Sequence, residues 1–264
     1  MSGLFSLDGR RALVTGANSG IGRAIALGLA AHGADLILHH FGGGEHAATL
    51  RDEAVAQGRD AAILEADFTQ PGAAEKLTKG LLLEERPVDI LIANAAIERR
   101  APWTEVTPEF LEAHVAANVA SLLTLTQGLV PPMAERGWGR VVAMGSVMAQ
   151  RPRAETVVYA ALKSAQLTAV RAIAREVAGR GVTMNVVSPG AIETERTAER
   201  YADPAFRSAV VAKIPAGRAG RPEDLVGAVV LLCSDAGSYI TGADIPVNGG
   251  WTIGDAPGAL PEAA

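Results

Sequence analysis

Thr15-Gly16-Ala17-Asn18-Ser19-Gly20-Ile21-Gly22 follows the short apolar run at residues 12–14 and leads into Arg23-Ala24-Ile25-Ala26-Leu27, which has helical period. A strand that turns through glycines straight into a helix presents the helix's first N–H groups without a covering side chain. Gly16 permits the tight turn, Gly20 a close backbone contact with a ligand, and Gly22 the packing of helix on strand. With Asn18, Ser19 and Ile21 between them, these residues suit a pyrophosphate at the helix N-terminus.

Outward from this turn, short apolar runs recur at residues 36–38, 61–64, 90–93, 141–144, 184–187 and 240–247, separated by helix-length stretches. Strand and helix alternating without consecutive hairpins is the pattern of an α/β protein whose parallel sheet is covered on both faces. The expected fold is therefore a Rossmann-type, doubly wound parallel β-sheet of about seven strands. Neither a Pro/Gly/Ser linker nor a repeat divides the chain, so a single domain is expected over residues 1–254. Residues 255–264, rich in small residues and proline, are expected to form a poorly ordered tail.

Composition excludes several function classes. Hydrophobic residues make up 48% of the 264 and charged residues 20%, which is not the profile of a disordered chain. A formal charge of −5 gives no overall attraction to a phosphate backbone, and 4% aromatics leave little stacking surface for single strands, so no nucleic-acid partner is expected. The N-terminal residues lack the apolar core of a signal peptide, and no stretch approaches the ~18 apolar residues of a membrane span. A soluble, cytoplasmic protein without a membrane partner is expected. Cys233 lies in an apolar run and reads as a small buried hydrophobe. His39 and His40 are adjacent, point to opposite faces of a strand and have no third ligand at matching spacing, so no metal is expected.

In an open parallel sheet, residues just past the carboxyl ends of strands face the ligand crevice. That rule selects His40 after the second strand, Asp67 and Phe68 after the third, Asn94, Ala95 and Ala96 after the fourth, and Ser146 after the fifth. Tyr159 and Lys163 are four apart in a segment of helical period and share one helix face. A phenol with a pKa near ~10 is brought toward working pH by a fixed ammonium, so this pair can move a proton. Arginine supplies 20 of the 24 basic residues, which makes lysine at 163 an unusual choice for this chain.

Thr-Gly-x3-Gly-x-Gly, Ser146 thirteen residues before Tyr159, Lys163 four after it, and Asn118 upstream together resemble the classical short-chain dehydrogenase/reductase family, from Thr15 to Gly250. The resemblance implies an NAD(P)-dependent oxidoreductase that interconverts a secondary alcohol and a ketone. It implies Asn118, Ser146, Tyr159 and Lys163 as catalytic residues, with Tyr159 and Lys163 also touching the cofactor. Asp67 and Phe68 would meet the adenine, and Asn94, Ala95 and Ala96 the ribose. Pro189, Gly190, Ile192 and Thr194 would close over the nicotinamide. Ala96 stands where the family has glycine. NAD-specific relatives place Asp at the end of the second strand; His40 and Phe41 here offer no carboxylate, which favours NADP over NAD. A homodimer or homotetramer is implied, through the helices bearing Asn118 and Tyr159.

The loops that would hold the small-molecule substrate, at residues 98–103, 148–153 and 193–215, are polar and arginine-rich; Arg99, Arg100, Arg151 and Arg153 in the first two suit the carboxylate of a sugar acid, with a neutral sugar or polyol as the alternative if Glu98 and Glu155 neutralise them. Two further alternatives are a carbonyl reductase resembling 3-oxoacyl reductases and a catalytically silent nucleotide-binding regulator.

Overall fold

Burial along the first strand, β1 (Arg11–Thr15), shows how the molecule is layered: Ala12 and Val14 pack into one apolar cluster and Leu13 into another, all fully buried. Successive strand residues point to opposite faces, so a strand covered on both sides reads as a near-continuous apolar run. The computed structural model describes residues 3–254. They form one seven-stranded parallel sheet in the order β3-β2-β1-β4-β5-β6-β7. The strands are β2 (Asp35–His40), β3 (Ala61–Glu65), β4 (Ile90–Ala93), β5 (Gly139–Met144), β6 (Val182–Pro189) and β7 (Asp244–Val247). The tail expected at residues 255–264 lies outside the described residues.

Helices α1 (Gly20–Ala31), α2 (Gly44–Ala56) and, late in the chain, α9 (Val226–Cys233) cover one face through Ile25, Leu29, Leu50, Val229 and Leu232. Helices α3 (Ala73–Leu82), α5 (Ser121–Glu135) and α6 (Val157–Val177) cover the other through Leu77, Leu125, Leu129, Met133 and Val170. Each such fully buried aliphatic side chain stabilises the fold by roughly 1.5–3 kcal/mol relative to exposure. Cys233 belongs to the first layer, where burial pushes its thiol up to about 12. Three shorter helices, α4 (Pro108–Val115), α7 (Ala198–Ala202) and α8 (Pro204–Val211), stand over the carboxyl edge of the sheet and its flank. The strand order reverses between β1 and β4, which opens a crevice at their carboxyl ends.

Two sequence expectations change. The last strand begins at Asp244, not at Ile240. The Asn185 carboxamide donates to Ile240 O at 2.7 Å and accepts from Ala243 N–H at 3.0 Å, which folds residues 240–243 into a loop. Residues 108–135 form a continuous helical run that is long and apolar enough to cross a membrane by length and composition, contrary to the reading of the sequence. Half of its most apolar 18-residue window is buried, and Leu122, Leu125 and Leu129 pack it on the sheet.

Candidate active site

The glycine turn is held from below by β4. Thr15 Oγ1 accepts the Asn94 and Ala95 N–H groups, each at 2.9 Å, and donates to Ile92 O. The Asn94 side chain donates to Thr15 O at 2.9 Å and to Gly16 O at 3.0 Å. Gly16 has φ +63° and would place a Cβ 3.1 Å from Ala95 Cα, while a Cβ at Gly22 would fall onto the Gly16 carbonyl. No side chain caps the N-terminus of α1, where Ser19 is extended and makes no cap hydrogen bond. These features fit a dinucleotide: an uncapped helix terminus over a turn that any side chain would fill.

The turn opens into a cleft of about 470 Å³, and Gly16, Asn18, Ser19, Gly20, Ile21 and Gly22 all line it. Asp67, Phe68, Asn94, Ala95 and Ala96 line it as well, as do Pro189, Gly190, Ile192 and Thr194. Thr194 faces Gly20 across the cleft. At Asp67, burial pushes the carboxyl up, but hydrogen bonds from Thr69 and Gln70 and the charge of Arg99 hold it below its ordinary value.

His40 does not line the cleft; His39 and Phe41 do. Strand alternation turns His40 to the opposite face, where its Nδ1 meets Gly42 O at 2.9 Å. His39 stacks on Phe68, ring centroids 4.1 Å apart and planes within 6°. Its Nδ1 accepts the Gly16 N–H at 3.2 Å and its Nε2 donates to Ala66 O at 3.0 Å, which specifies a neutral ring. Burial pushes that imidazole down to about 4. The carboxylate of Glu65 accepts from Gly42 N–H at 3.3 Å and does not line the cleft.

Ser146 follows β5, and Tyr159 and Lys163 lie on the first turns of α6, all three lining the same cleft. Ser146 Oγ accepts Met148 N–H at 3.1 Å, and its hydroxyl favours the ionised form of Tyr159. Lys163, 2% exposed, donates to Met144 O at 2.6 Å, with its Nζ 5.4 Å from the centre of the Tyr159 ring. Burial pushes Lys163 down to about 8. Burial and then the charge of Glu98 push Tyr159 up to about 12, while Ser146 and Arg196 pull it down. Lys163 directs its ammonium at Met144 O, and burial penalises the charged form of both side chains.

Asn118 does not line the cleft, although its neighbour Ala117 does. It sits fully buried in a π turn (Ala116–Ala120) between α4 and α5. Its Oδ1 accepts Ile97 N–H at 2.9 Å and its Nδ2 donates to Ile97 O at 3.0 Å. His114, on α4, accepts Arg99 N–H at 3.2 Å. The loop after β4 is therefore pinned on both sides of Glu98, which lines the cleft.

Of the four arginines singled out from sequence, the structure brings Arg100 and Arg153 to the cleft. Arg151 turns away to Trp251 O at 2.7 Å, and Arg99 does not line the cleft. Arg100 pairs with Glu98 at 3.4 Å. Arg196 and Arg200 join them from the segment after β6, beside Tyr201, Phe206 and Trp251. Their spacing of four on a short helical stretch was the available sequence signal. Arg200 stacks over the Phe206 ring at 5.0 Å. No group of three or more side chains able to hold a metal ion occurs among the described residues.

A family profile described as Enoyl-(Acyl carrier protein) reductase matches residues 16–252. The chain is 37% identical over 246 residues to 3-oxoacyl-[acyl-carrier-protein] reductase of Salmonella typhimurium, covering 93% of this chain and 98% of that one. It is 36% identical over 254 residues to gluconate 5-dehydrogenase of Gluconobacter oxydans, covering 95% and 97%. Among solved structures, it resembles a gluconate 5-dehydrogenase from Burkholderia cenocepacia in complex with NADP and tartrate, with a TM-score of 0.88, 32% identity, and 96% and 98% of the two chains covered.

Proposed function

Because the chain belongs to the classical short-chain dehydrogenase/reductase family, we propose that it interconverts a secondary alcohol and a ketone on a sugar acid, with NADP favoured over NAD. The observation that carries the substrate class is the arginine-rich wall: Arg153 and Arg196 line the cleft, and neither forms an ion pair with another described residue. Guanidinium groups recognise carboxylates through two parallel hydrogen bonds. Gluconate 5-dehydrogenases among the relatives, one of them bound to NADP and tartrate, support the same reading.

The glycine turn and the N-terminus of α1 would hold the pyrophosphate, Asp67 and Phe68 the adenine, and Ile192 and Thr194 the nicotinamide end. When bound, the nicotinamide supplies the hydride donor or acceptor. Ser146 orients the reacting oxygen of the substrate, and Tyr159 exchanges its proton. A phenol pushed up to about 12 is a proton donor across the neutral range, which suits ketone reduction; alcohol oxidation needs the phenolate and gains from alkaline pH. Lys163 holds the nicotinamide ribose and passes the proton onward, and Asn118 holds a water of that relay.

The test is reduced-nicotinamide absorbance against a panel of sugar acids, matched neutral sugars and polyols, and 3-oxoacyl thioesters. The expected outcome is turnover concentrated on the acids. Preference for the thioesters would overturn the substrate class, and no turnover on any member would favour the silent regulator.

A cytoplasmic homo-oligomer, dimer or tetramer, is part of the same proposal. Much of the apolar surface expected on α5 and α6 is buried against the sheet, including Leu122, Leu125, Leu129, Val170 and Val177. Leu111, Val115 and Val157 remain exposed on α4 and α6, at 44%, 38% and 49%, and support a contact there. Light scattering at micromolar concentration is expected to give a multiple of 27.2 kDa; a monomer mass would remove the proposal.

A further inference from the structure

Helix α6 buries Ala160, Lys163, Gln166, Val170, Ala174 and Val177 along one stripe, and two of these positions carry polar side chains. Lys163 belongs to the proton-transfer site. Gln166 has no part in the roles assigned so far, yet it is 2% exposed, where an aliphatic residue would continue the stripe. Its Nε2 donates to the main-chain carbonyl of Asn118 at 2.5 Å. Its Oε1 has no hydrogen-bond partner among the described residues. The opposite orientation of the amide would set two oxygens against each other, so the donor must face Asn118.

The acceptor is unusual too. Asn118 lies within the π turn (Ala116–Ala120), where the wider helical spacing disrupts the regular ladder. Both polar atoms of its side chain are committed to the main chain of Ile97. Its carbonyl is the group presented to α6, and Gln166 takes one of its two lone pairs, leaving the other for a water. A single chain of contacts thus runs from α6 through Gln166 and Asn118 to Ile97, and so to Glu98 in the cleft.

We propose that Gln166 is a positioning residue for proton transfer: it clamps the π turn to the helix that carries Tyr159 and Lys163, and fixes the loop after β4 at the substrate side. This rests on the reading above that Tyr159 and Lys163 move the proton. Without the amide, the Asn118 carbonyl loses its tie to α6 and the turn is free to relax toward regular helix. Tyr159, Lys163 and Glu98 would then lose their common frame while the glycine turn keeps its own ties to β4.

The test compares Gln166→Leu, Gln166→Glu and Tyr159→Phe with wild type in kcat, in KM for the nucleotide and in the pH profile. Gln166→Leu is expected to lower kcat by about 10- to 100-fold, with the nucleotide KM within about twofold. In Gln166→Glu, an ionised carboxylate cannot donate to the Asn118 carbonyl, but the protonated acid can. Its activity relative to wild type should therefore rise as pH falls through the glutamate pKa.

A Gln166→Glu profile parallel to wild type, or a Gln166→Leu kcat within about twofold of wild type, overturns the proposal. If the leucine variant fails to fold, the glutamate profile decides. Inactive Tyr159→Phe beside unaffected Gln166 variants removes the clamp alone. Full activity in Tyr159→Phe removes the reading beneath it as well.

Discussion

Tyr159→Phe is expected to lower kcat by on the order of 10²- to 10⁴-fold while leaving nucleotide affinity close to wild type. The substitution keeps the ring that packs against the cluster of Val147, Met148, Ala160, Ile214 and Trp251 and deletes only the hydroxyl. Among the described residues lining the cleft, no other side chain beside Ser146 combines a titratable O–H with a neighbouring ammonium; Glu98 is an alternative acid there, and it is held in a pair with Arg100. Steady-state rates with whichever sugar acid proves active, alongside nucleotide titration by fluorescence, check the result. Near-wild-type turnover with intact nucleotide binding would move the proton-transfer role to Glu98 and undo the assignment of Tyr159.

The second large effect concerns Arg153 and Arg196. A charge-assisted hydrogen bond to a carboxylate contributes roughly 1.5–3 kcal/mol, so either change to alanine should lower kcat/KM for the acid by about 10- to 150-fold. For the matched neutral substrate the loss should stay within about twofold. Arg200→Ala should cost less, because its guanidinium is already engaged over Phe206, and Arg100→Ala is complicated by release of Glu98. Equal losses on both substrates, or none on either, would mean that the arginines serve the loops and not the substrate.

The parallel sheet was legible because strands covered on both faces read as near-continuous apolar runs, and seven such runs stand out between helices. The glycine turn was legible because close backbone approach leaves glycine alone at Gly16 and Gly22. Parity at a strand end was not. His39 and His40 differ only in which face they take, and a one-residue choice exchanges a cleft residue for one that faces Gly42. Asn118 was found by resemblance, but its buried contacts depend on Ile97, 21 residues away in sequence, and no local pattern reveals such a pairing. Residues 193–215 were legible as a substrate loop, but Arg196 and Arg200 were not singled out within it, because charge on a loop ordinarily means solvent; the short turn Glu195–Thr197 and α7 bring them to the cleft. Gln166 broke a visible apolar stripe, and that interruption was the signal available.

The three ties on the glycine turn, from Thr15, Asn94 and His39, bear on the timing of ligand capture. A loop that becomes ordered only around its ligand loses conformational entropy at that moment, about 1–2 kcal/mol for each residue fixed. Here Gly16 is held at its amide by His39 and at its carbonyl by Asn94 through protein contacts alone. The ordering of Gly16 thus belongs to folding, and its entropy cost is not charged to nucleotide binding.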